Sequence, residues 1–167
     1  MDAVTYPNQA VQKILRENFV CHSIDESRPS RADRQLLRQS RVLWSPAVLC
    51  LEPRAGELRR ITGFRPPDDF STELRIMAGL HALLHRKFDR AMDLLASAAA
   101  ESCNDELTAE ALYWDSIAEF KSHDRDYSIL EQGWQRLQTG YSHTSWWPRA
   151  DIWDFRPTGR RAPGGSE

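Results

Sequence analysis

The sequence predicts a helix-dominated protein built in two parts, a short α/β segment followed by an all-α region. Three observations point there. Residues 42–64 (VLWSPAVLCLEPRAGELRRITGF) alternate between apolar runs and a short polar turn, the pattern of two strands joined as a hairpin. From Phe70 to Phe155 apolar residues recur at helical spacing with only short breaks. Charge shifts between the same two parts: residues 1–65 hold eleven Lys or Arg against seven Asp or Glu, and residues 66–167 hold eleven against seventeen. The sums, +4 and −6, give the net charge of −2 and put a boundary near Gly63–Pro67.

The elements follow in order. Val11, Ile14, Leu15 and Phe19 lie at helical spacing after Pro7 and Asn8, which are start signals. Residues 19–25 (FVCHSID) read as a short strand, ended by a polar run. Residues 30–42 (SRADRQLLRQSRV) form a helix whose Arg31, Arg34, Arg38 and Arg41 share one face. That row reads as a solvated face opposite Leu36 and Leu37 before it reads as an acid-binding surface. Residues 47–53 and 57–64 are the two hairpin strands. Residues 65–70 (RPPDDF) open the next helix, with prolines where a first turn tolerates them and aspartates at its positive end. Phe70, Leu74, Met77, His81 and Leu84 are expected on one buried stripe of that helix. Three more helical stretches follow, 88–100, 108–121 and 129–141, and the tail over residues 158–167 is expected to be disordered.

This order, helix, strand, helix, then proline, strand, turn, strand and helix, resembles the second part of a thioredoxin-like domain. Residues 42–74 are similar to the family segment written V-x-W-T-P-T, apolar strand, D-x-x-G turn, strand ending in G-F or G-Y, and closing helix. Residues 1–26 are similar to the stretch after the active-site cysteines in many members. The resemblance implies that Pro46 is a cis-proline, that Trp44, Ser45 and Pro46 form the substrate-positioning loop, and that the backbone at Ser45 pairs with an extended substrate. It also implies thiol–disulfide exchange, yet the chain contains no C-x-x-C. Met1 falls just past the point where the second family cysteine would stand, and the central family strand, between those of Cys21 and Cys50, has no counterpart. The sequence is therefore expected to be an incomplete record of a longer protein, to close the gap differently, or to borrow a strand. As it stands it is expected to be inactive in exchange.

The helical part resembles a tetratricopeptide repeat, a helical hairpin of roughly 34 residues. Gly79, Phe88, Ala91, Leu95 and Ala98 fall at its packing positions, and residues 111–147 resemble a looser second unit. The expected organisation is thus a partial thioredoxin-like domain over 1–65, a tetratricopeptide-like region over 66–157, and the tail. Trp114, Trp134, Trp146, Trp147 and Trp153 are expected to pack between helices, ahead of lining a peptide groove.

Other chemistry is sparse. Cys21, Cys50 and Cys103 are odd in number and far apart, which suits free thiols and neither a disulfide framework nor a zinc site. His81 and His85 stand four apart, but Ala-Leu-Leu between them supplies no further ligand, so packing or partner contact is the expectation, with no metal and no cofactor. The charge is too low for a nucleic-acid footprint, no apolar run is long enough for a membrane span, and no secretory leader is legible. A cytoplasmic location follows by default. The alternative to a redox protein is a non-catalytic binding module whose tetratricopeptide-like helices dock a protein or peptide partner, or a homodimer that exchanges a strand.

Overall fold

The computed structural model of the chain describes residues 1–53 and 56–150. The expectations for Trp153 and for the tail over 158–167 fall outside these residues. The element order is α1 (Gln9–Asn18), α2 (Arg31–Gln39), β1 (Ala47–Glu52), β2 (Gly56–Thr62), α3 (Pro67–Leu84), α4 (Phe88–Glu101), α5 (Asp105–Ser122), α6 (Tyr127–Tyr141) and α7 (Trp147–Ala150). Helices dominate, and the sheet is a two-stranded antiparallel hairpin.

Asn8 starts α1: its side-chain oxygen accepts hydrogen bonds from the amides of Ala10 (2.9 Å) and Val11 (3.3 Å), two donors a first helical turn leaves unpaired. One face of α1, Val11 and Ile14, is buried. Helix α2 differs. A reciprocal capping box between Ser30 and Asp33 opens it, yet none of its nine residues is buried. It is tied to the hairpin at its end, where the Arg60 guanidinium donates to the carbonyls of Ser40 and Arg41.

The strand expected over residues 19–25 is not formed. The segment runs without regular structure and Val20 is fully exposed. A strand is held by ladder bonds to a neighbour, and no strand lies beside this one among the described residues.

The hairpin has the expected antiparallel pairing, Ala47 with Thr62 through Cys50 with Arg59, then Leu51 with Glu57. The step leaves Leu58 as one extra residue on β2, a β-bulge. Gly63 at φ +86° closes the ladder, its amide donating to the Pro46 carbonyl at 2.8 Å. That conformation suits glycine, which has no Cβ to collide with its own backbone.

Helix α3 belongs to two cores at once. It gives Phe70, Leu74 and Met77 to a cluster with Val11, Ile14 and Ile61, against which Phe19, Val48 and Cys50 also pack. It also gives Ile76, Ala82 and Leu83 to a cluster with Ala91, Leu95 and Ala98 of α4 and Leu107, Ala111 and Ala118 of α5. The stripe predicted from sequence therefore fails at its end: His81 is exposed and Leu84 is 49% exposed. Beyond Met77 the cluster residues of α3, Ala82 and Leu83, face α4 and α5, while His81 turns to Glu52 at the end of β1.

Each helical pair meets at one small residue. Gly79 of α3 lies under Leu95 of α4, and a Cβ built on it would stand 2.7 Å from Leu95 Cγ. In the next pair the roles are reversed: Gly133 of α6 faces the fully buried Ser116 of α5, where a Cβ would stand 2.0 Å from the hydroxyl. Trp134 and Leu137 of α6 join Ala109 of α5 and Ala150 of α7 in a third cluster, against which Trp146 and Trp147 are packed. The described tryptophans other than Trp44 thus serve mainly as packing area, as the sequence suggested. Across the two parts, Arg59 of β2 is held by Glu73 of α3 (Nε to Oε2, 2.6 Å) and Glu110 of α5 (Nη2 to Oε2, 2.9 Å).

Candidate functional site

The loop between α2 and β1 is the first candidate. Arg41, at φ +49°, turns the chain out of α2, and the Val42 amide returns to the Leu37 carbonyl at 3.3 Å. The next two side chains are apolar and uncovered: Leu43 is 92% exposed and Trp44 70%. The Ser45–Pro46 peptide bond is cis, as expected from the sequence. Glu26, Leu37, Val42, Leu43, Trp44 and Ser45 line an open cleft of about 400 Å³. On the neighbouring surface Arg31, Arg34 and Arg38 stand in a row along α2.

The loop leads directly into a free sheet edge. Because Pro46 accepts its ladder bond from Gly63, antiparallel alternation directs the backbone groups of Val48 and Cys50 to β2, and turns the N–H and C=O groups of Ala47 and Leu49 outward. Ser45 has the same parity. Among the described residues β1 pairs only with β2, so those outward groups have no ladder partner. The side chains follow the same alternation. Val48 and Cys50 pack on the core, while Leu51, next beyond the bulge, is 45% exposed.

Trp44 and Ser45 therefore line the cleft, and Pro46 follows them into β1. The three cysteines are all free: Cys21 and Cys103 are exposed and Cys50 is half-buried. Burial, with the Glu52 carboxylate adding to it and Arg59 opposing, pushes the Cys50 thiol up, away from the thiolate that would attack a disulfide.

A second cluster was missed from sequence. Glu52, the last residue of β1, is 7% exposed. Its two carboxylate oxygens meet two imidazoles at the end of α3, Oε2 lying 2.8 Å from Nδ1 of His81 in the last turn and Oε1 lying 3.4 Å from Nε2 of His85, the C-cap residue. The rings themselves are 4.5 Å apart, and each side chain keeps over a third of its surface open to solvent. The i, i+4 spacing of the histidines is visible in the sequence. The carboxylate is not, because it arrives only when the hairpin folds against the end of α3.

A scan of protein-family models, a search of curated proteins and a search of solved structures each return no match.

Proposed function

We propose that this chain is a thioredoxin-like segment with a tetratricopeptide-like extension that serves as a docking module for an extended segment of another polypeptide. In this reading it has no thiol–disulfide exchange of its own. The partner segment adds to the outer edge of β1, beside Ser45, Ala47 and Leu49, and lays its apolar side chains against Leu37, Leu43 and Trp44. The single observation that carries the reading is the continuity of an unpaired strand edge with an uncovered apolar loop. Strand addition needs both, main-chain bonds for affinity and side-chain pockets for selection.

Other features support the same face. Helix α2 buries none of its residues, and Leu43 and Trp44, which line the cleft with Leu37 of α2, are exposed. A large apolar side chain left in water forgoes about 1.5–3 kcal/mol, so several together favour a covering partner. The arginine row on α2 selects a partner whose apolar stretch is flanked by acidic residues. The thioredoxin-like resemblance contributes the pairing of an extended segment with the backbone at Ser45.

The test uses reduced, carboxymethylated α-lactalbumin, a probe that is unfolded, apolar and acidic. Fluorescence anisotropy of the labelled probe is expected to show saturable binding to the full chain. Trp44→Ala should weaken it by about tenfold, as expected for an exposed aromatic anchor, and Arg34→Glu with Arg38→Glu should weaken it further. Absence of binding, or binding unaffected by these changes, would contradict the reading. A dimer by sedimentation that Trp44→Ala dissolves would replace the foreign partner with a second copy of the chain.

A further inference from the structure

We propose that Glu52, His81 and His85 form a binding site for one divalent transition-metal ion, with zinc as the best match. The donor set is two imidazole nitrogens and one carboxylate oxygen, which zinc takes in open, three-ligand sites that leave the fourth position to water. The ligand atoms of the three residues all lie within 4.8 Å of one another. In a tetrahedral site with metal–ligand bonds of about 2.0–2.2 Å, ligand atoms stand roughly 3.4 Å apart. The Glu52–His85 separation of 3.4 Å already equals that spacing, and the Glu52–His81 separation of 2.8 Å lies inside it. Small rotations of two half-exposed imidazoles complete the triangle.

Burial and rigidity favour the site over a surface ion pair. Glu52 is anchored at the end of a hydrogen-bonded strand, paired with Gly56. Its side chain is 8% exposed, and the two histidines are its ion-pairing partners among the described residues. His81 in the last turn of α3 and His85 at its C-cap supply donors on one side, their rings 4.5 Å apart. The open side of both imidazoles leaves room for the remaining ligand.

Titration of the full chain with Zn2+ by calorimetry, and with Co2+ by visible absorption, tests the site. The expected result is one ion per chain at micromolar or tighter affinity, with Co2+ d–d bands and no thiolate charge-transfer band. His85→Ala, at an exposed position that folding does not need, and Glu52→Gln should each weaken binding by at least about tenfold, since even residues one shell further out carry effects of that size. His22→Ala, which removes an exposed histidine paired with Asp33 elsewhere, should leave affinity unchanged. No saturable binding, a thiolate band, or binding that His85→Ala leaves intact would overturn the assignment.

Discussion

Asp115, on α5, has a carboxyl held above the ordinary range, chiefly by burial, with Arg136 opposing and Glu119 adding to the rise. Between the ordinary value of 3.8 and the raised one, the folded state binds more protons than the unfolded state. Stability therefore falls as pH rises through that window, and the full penalty is present above it. Asp115→Asn is expected to raise Tm at neutral pH and to leave it unchanged near pH 3, as thermal unfolding across the pH range would record. An equal gain at both pH values would show that the carboxyl charge is not the cause. At this scale the sequence was partly legible. Asn8 announces its helix because its side chain caps the adjacent amides, whereas the cis bond at Pro46 is expected only from the thioredoxin-like resemblance. Glu52 gave no such signal, since what it touches depends on a distant helix end.

Among elements, the helical pairs were legible to the extent that their contacts are local. The spacing of Gly79, Ala91, Leu95 and Ala98 is a property of one helical hairpin, and all four are buried. The Ser116–Gly133 contact tests how much of the second pair rests on a single close approach. Gly133→Ala should gain up to about 1 kcal/mol of helix propensity. The added methyl would nonetheless stand 2.0 Å from Ser116 Oγ and 2.5 Å from its Cβ, so turning the hydroxyl does not relieve it. Overpacking of this kind costs about 1–3 kcal/mol, and urea denaturation should show net destabilisation. Gly140→Ala, on the same helix with nothing within 4 Å, should be neutral or stabilising. The strand expected over 19–25 failed for the complementary reason: β propensity needs a neighbouring strand, and residue pattern alone cannot supply one.

Over the whole molecule, the two compositional halves form a connected structure. Helix α3 shares its apolar residues between both cores, and Arg59 of β2 reaches Glu110 of α5. Among the described residues, no helix is long and apolar enough to cross a membrane. A change of charge near residue 65 is visible in the sequence, whereas the sharing of α3 is not, because Ile76 and Met77, adjacent in the chain, join different clusters. With one side of the hairpin bound to α1 and α3, the outer edge of β1 and the Leu43–Trp44 loop remain the uncovered face on which the docking account rests. Amide hydrogen exchange, read residue by residue with and without carboxymethylated α-lactalbumin, tests that account most directly. Slowed exchange at the Ala47 and Leu49 amides, with α5 and α6 unchanged, is the predicted result. Protection confined to the helical pairs, with Ala47 and Leu49 exchanging as before, would contradict it.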